Sequence, residues 1–264
     1  MRTGNPTLSD AVFLDAAPDR GASADARYMT IEGTVNKTAL LLSITVGVAL
    51  ATIIGLKMTG ADVAVGDEVV RVAQPGMMWG LTILGLVGGL ISFVVIMFNK
   101  KMVSLAAPAY ALFEGLFLGA ITLQFETFFP GIGIQAAGLT FGVLFGLLSA
   151  YRSGMIKATE NFKLGVVAAT MGIMMVYVVS IVMNLFGASM PMIHDNGIMG
   201  IGFSLFVVVI AALNLVLDFD FIERGAESRA PKYMEWYGAF SLLVTLVWLY
   251  VEILRLLSKL QSRD

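Results

Sequence analysis

Hydrophobic residues in this chain fall in long unbroken blocks, not in the short alternations of a half-buried strand. The blocks are residues 38–56, 77–98, 103–124, 131–150, 164–186, 197–217 and 237–257. About 20 consecutive apolar residues cross a bilayer as a helix, so the pattern predicts seven transmembrane helices. Asn99-Lys100-Lys101-Met102 separates the second and third as a tight hairpin, and Pro130-Gly131 signals a turn between the third and fourth. Pro108 falls inside the third and removes one helical hydrogen bond, so a kink is expected there. Gly85 with Gly89, Gly115 with Gly119, and Gly138, Gly142 and Gly146 repeat at a spacing of four. That spacing puts small residues on one helix face, where close helix packing is expected.

Composition agrees with the pattern. Of the 264 residues 58% are hydrophobic and 14% charged, against about 45–50% and about 25% in a soluble domain. The fold class expected is an all-α integral membrane protein. With no cysteine there is neither disulfide nor thiolate chemistry, and His194 as the sole histidine excludes a His-cluster metal site. A net charge of −2 gives no electrostatic case for nucleic acid. The 16 methionines read as gap-fillers in an apolar setting. The first 36 residues hold no apolar signal-peptide core, so the first membrane helix is expected to act as the insertion signal. Three regions follow: a polar tail over 1–37, expected to be disordered and carrying Asp10, Asp15, Asp19, Asp25 and Glu32; a membrane domain over 38–260; and a short polar end over 261–264.

Lys and Arg segregate between alternate loops. Arg2, Arg20, Arg27, Lys37, Lys100, Lys101, Arg152, Lys157, Lys163, Arg224, Arg229 and Lys232 share one side, which is twelve of the 17 basic residues. The other side holds Lys57, Arg71, Arg255, Lys259 and Arg263. The positive-inside rule then puts the N-terminus in the cytoplasm. Seven full spans put the C-terminus outside; a seventh helix that stops short or re-enters stays open as an alternative.

Candidate chemistry lies in the acids within the blocks. A charge near the bilayer centre costs at least about 2.5 kcal/mol and is a functional candidate by default. Glu114 lies about 20 Å into the third block and Glu252 about 22 Å into the seventh, so the two are at similar depth. Asp218 closes the sixth block, with Asn214 and Asp220 beside it at the cytoplasmic mouth. Glu126, before Phe128-Phe129-Pro130-Gly131, reads as a solvated loop acid, and His194 as an inert loop residue.

Leu217-Asp218, Leu249-Tyr250-Val251-Glu252-Ile253-Leu254, the run Phe113-Glu114-Gly115-Leu116 with Gly119, and Pro130-Gly131 carry a resemblance. Over residues 38–260 the chain resembles the Bax inhibitor-1 (transmembrane Bax-inhibitor-motif) family, in its bacterial branch. The resemblance implies six helices wrapped around a central seventh. It also implies a pH-sensitive calcium leak channel in a bacterial inner membrane, with Asp218 and Glu252 as sensor and transient calcium ligands. The chain departs from the family in having Glu at 252, where Asp is usual, and in a longer spacing from Asp218. An interfacial helix over 232–237 would restore the register; otherwise Glu114 is the better partner for Glu252.

Two classes of function are therefore expected. The first is a cation leak, for calcium, gated by protonation, since proton and calcium compete for the same carboxylate oxygens. The partners are then the bilayer and calcium, the latter as transported ion; no cofactor is expected. The second is a non-transporting regulator of a membrane-anchored protease or of stress responses, as the resemblance to bacterial relatives implies. Catalysis is not expected. Tyr151-Arg152-Ser153-Gly154 lacks the first Gly of a rhomboid-type motif, no Gly-x-Gly-Asp is present, and Lys259 lies too near the chain end for a retinal lysine.

Overall fold

The computed structural model of the chain describes residues 27–65, 68–187 and 197–262. Among the described residues seven helices are long and apolar enough to cross a membrane. They are α1 (Ile31–Met58), α2 (Pro75–Phe98), α3 (Val103–Phe128), α4 (Ile132–Arg152), α5 (Glu160–Leu185), α6 (Ile198–Glu227) and α7 (Met234–Gln261). Between α1 and α2 the chain forms an antiparallel pair, β1 (Ala61–Val65) and β2 (Glu68–Val72), registered from Ala61 opposite Val72 to Val65 opposite Glu68. One 3₁₀ turn, Lys100–Met102, makes the predicted α2–α3 hairpin. Gly131, with φ of +85°, makes the α3–α4 turn in the left-handed region that glycine enters without steric cost.

The seventh helix is the axis of the bundle. It packs on α6, α1, α4 and α3, whereas α2 leans on α3, and α5 on α6. Phe240 of α7 is fully buried, with the ring of Tyr110 edge-on at 4.9 Å. Farther along, Leu246, Leu249 and Ile253 pack in one cluster with Ile132, Ala136 and Leu215. The remaining apolar faces, among them Leu90, Ile91, Val178 and Ile181, point outward as a lipid-facing surface does. The end where α1 begins is called basal below, and the end where α1 finishes distal.

Several expectations need correction. The helices extend past the apolar blocks. α1 already begins at Ile31, capped by Thr30, whose Oγ1 accepts the Gly33 N–H at 3.0 Å. Residues 31–37 of the expected disordered tail are therefore helical; residues 1–26 and His194 lie outside the described residues. α6 runs ten residues past its block, so Asp218 is buried inside a helix and does not close one. That extension takes up the long spacing to Glu252, in place of an interfacial helix over 232–237. Pro108 does lie inside α3, as the apolar block placed it. Gly85 and Gly89 do admit close packing: an added Cβ would come within 2.9 Å of α3 atoms at both. Gly138, Gly142 and Gly146 instead face open space.

Candidate functional site

Several polar groups buried in the bundle, Asp218, Asn214 and Glu252 among them, lie on one seam, where α5, α6 and α7 meet. α6 runs antiparallel to α5 and α7, so polar residues at several heights pair across it. At the basal end Lys163 of α5 bonds Asp220 of α6 at 2.9 Å, and Arg224, one turn along, meets the same carboxylate at 2.7 Å. Next, Asp218 accepts the Ser241 hydroxyl of α7 at 2.8 Å, and Asn214 donates to Thr170 of α5 at 2.8 Å. Asp218 is 1% exposed and Asn214 5%.

The next tier along the seam is apolar. Ile173, Val207 and Ile210 form a buried cluster, with Trp248 and Tyr177 packed against it. Beyond it lies Glu252, 2% exposed. Its carboxylate accepts the Tyr177 hydroxyl at 2.7 Å and is bonded through both oxygens by one nitrogen of Arg255, at 2.9 and 3.0 Å. The same nitrogen donates to the Tyr177 oxygen at 2.8 Å. These charge-assisted bonds offset the cost of holding a carboxylate at this depth. About two turns beyond Glu252, Lys259 donates to the Gly200 carbonyl of α6 at 3.0 Å.

The candidate residues are thus brought to one seam but not to one point. Ser241, which holds Asp218, is eleven residues from Glu252 on α7, so the two acids bind α7 about 16 Å apart along its axis. The expected joint calcium site of Asp218 and Glu252 is not formed, and among the described residues no group of three acidic or histidine side chains is placed to hold a metal. Asn214 and Asp220 do flank Asp218 toward the two sides of its tier. Glu114 is elsewhere: Gly89 of α2 lies against its carboxylate, and Tyr110 of its own helix bonds it. The expected sharing of a site by Glu114 and Glu252 is overturned, because one faces α2 and the other α5. Gly115 and Gly119 do allow a close approach, but to Val48 and Ala49 of α1 instead of to α7. Glu126 is no solvated loop acid; it ties the α3–α4 turn by accepting the N–H groups of Gly131 and Gly133.

A family model described as Bax inhibitor 1 like matches residues 5–262. The chain belongs to that family. No curated protein matches it. In this member of the Bax inhibitor 1 like family, two charged groups went unread in the sequence. Arg255 is three residues from Glu252, the spacing that puts acid and base on one helix face. Glu235, wholly buried, was missed because it precedes the apolar block. It binds Lys37 and Lys232, and its Oε1 accepts the Thr30 N–H at 3.0 Å and the Thr30 hydroxyl at 2.8 Å.

Proposed function

We propose that the protein is a cation leak pathway, for calcium, running along the α5–α6–α7 seam and gated by protonation of its buried acids. The observation that carries the reading is the placement of Asp218 and Glu252 on that seam, on either side of the Ile173–Val207–Ile210 tier. Two carboxylates in series supply the hard oxygens calcium prefers, and the apolar tier is a constriction of the kind that gates by dewetting. Arg255 holds both oxygens of Glu252, so a cation reaches that carboxylate only when the guanidinium swings away. Protonating Glu252 removes the charge that draws either cation. Calcium binding therefore weakens as pH falls. We place it in a bacterial plasma membrane; the segregation of twelve basic residues to one set of alternating segments of the sequence favours an N-terminus in the cytoplasm. No catalytic step is assigned to the chain.

The test is calcium flux into proteoliposomes over a pH series. Wild type should show pH-dependent flux, and Glu252→Gln a flattened dependence. A second reading, a non-transporting regulator of a membrane-anchored protease, is favoured by the docked basal segment: Met29 N–H donates to the Ala230 carbonyl at 2.6 Å and Lys232 N–H to that of Arg27 at 3.0 Å. Absence of flux from folded protein would favour it.

A further inference from the structure

α1 and α4 both pack on α3 and α7 but not extensively on each other. The gap between them is a groove of about 420 Å³, floored by α3 and α7. Its α1 wall runs from Leu42 to Lys57, a rise of about 22 Å. Its α4 wall belongs to the first turns after Gly131, so the groove occupies the distal half of the bundle. The lining is almost wholly apolar, and its one polar pair on the floor, Thr122 and Tyr250, is closed by a 2.8 Å hydrogen bond. Val46, Leu50 and Ile134 are exposed along its mouth, which opens sideways to where lipid lies.

The distal end is different. Lys57 stands in the last turn of α1, exposed and, among the described residues, without an ion pair. The acid nearest the groove's end, Glu126, is taken up by the Gly131 and Gly133 amides at 2.8 and 2.9 Å. A long apolar trough ending in a cation at the depth of a helix end fits one amphiphile: a chain with an anion at its head. Lysine at such a position reaches the lipid headgroup zone.

We propose that this groove is a binding site for one anionic membrane phospholipid, its acyl chain lying between α1 and α4 and its phosphate paired with Lys57. Independent of the ion-pathway reading, the site would put a lipid chain on the face of α7 opposite Glu252, since Tyr250 and Glu252 lie two residues apart on the helix.

Native mass spectrometry of delipidated protein titrated with phosphatidylglycerol tests it. Wild type should retain one lipid at concentrations where added lipid is otherwise shed. Ala137→Phe, which fills the trough from its α4 wall, should lose that lipid. Leu139→Phe, on the outward face of the same helix, should keep it. Lys57→Gln should weaken binding about fivefold and abolish the preference for phosphatidylglycerol over a matched diacylglycerol. Equal retention by wild type and Ala137→Phe would mean annular lipid only and overturn the proposal. So would equal binding of diacylglycerol to wild type. Helical circular dichroism of each variant separates loss of the site from loss of the fold.

Discussion

Gly33 lies directly against the carboxylate of Glu235: a Cβ on Gly33 would stand 2.2 Å from Oε1. No side chain fits there. The first turn of α1 is bare at this point so that the first turn of α7 can set a fully buried acid among Thr30, Lys37 and Lys232. The start of the chain's first membrane helix is thereby tied to the start of its last.

Gly33→Ala should accordingly push α1 off Glu235 and destabilise the bundle. Glu235→Gln should cost roughly 2–3 kcal/mol, the scale for losing hydrogen bonds to a charged group, and leave two lysines short of their partner. Thermal unfolding in detergent checks both. A Gly33→Ala protein as stable as wild type would mean that the clamp yields without cost.

Orientation is open to a direct measurement, because the chain has no cysteine. Ser153 is exposed at the basal end of α4 and Thr59 at the distal end of α1. In intact cells a membrane-impermeant maleimide should label Thr59→Cys and leave Ser153→Cys unlabelled until the membrane is opened. The reverse pattern would invert the topology drawn from the basic residues.

How far these features could be read from sequence depends on what surrounds each residue. Seven helices were legible, because the bilayer demands long apolar runs and those runs are local; the central place of the seventh was implied by the family resemblance alone. Helix ends were not. Asp218 and Asp220 read as the cytoplasmic mouth and Arg224 as a loop residue, yet Lys163 and Arg224 compensate Asp220 and α6 runs on to Glu227. It stops near Arg229, whose φ is +54°. The β1–β2 pair had a signal in the valine-rich residues on either side of Gly66-Asp67, a two-residue hairpin dipeptide, but that stretch is too short and too charged to stand out as an apolar block. The depth match expected of Glu114 and Glu252 fails as well: Glu114 lies 11 residues into α3 and Glu252 18 into α7, about 10 Å deeper, because α7 starts before its apolar block; nor does position along an axis say which way a side chain points. The Glu252–Arg255 pair was local and readable; Tyr177, 75 positions away, was not.

Because Glu114 faces α2, Glu114→Gln should leave the pH dependence of calcium binding unchanged, whereas Glu252→Gln should flatten it. Gln keeps an acceptor at nearly the same volume, so both proteins should fold. Binding isotherms over a pH series decide. A shifted profile in Glu114→Gln would mean that the acid reaches the seam after all.

Arg255→Gln should act in the opposite sense to Glu252→Gln. It removes the guanidinium that holds both carboxylate oxygens and leaves Tyr177 as the one hydrogen-bond partner of Glu252. Calcium then meets no competing cation at Glu252, and its binding at neutral pH should tighten. The carboxylate is left without a countercharge, so the variant should also lose stability, and the Glu252→Gln, Arg255→Gln double variant should recover part of it. Tighter binding that persists in the double variant would remove Glu252 from the pathway.

The apolar tier gives the sharpest test of the seam. Val207 is wholly buried there with Ile173 and Ile210, between the carboxylate at Asp218 and the one at Glu252. A hydrated cation crossing between them must wet this tier, and apolar side chains resist wetting. Val207→Thr changes little in volume, and its hydroxyl has a carbonyl one turn back on α6 to bond, so the helix should hold. It nonetheless puts an oxygen into the constriction. If that lowers the barrier by about 1 kcal/mol, flux rises about fivefold. Val209→Thr, on the exposed face of the same helix, supplies the control for any general loosening of α6. Calcium flux in proteoliposomes at fixed pH should rise in the first variant and stay level in the second. Equal flux in both, from folded protein, would place the pathway outside the α5–α6–α7 seam.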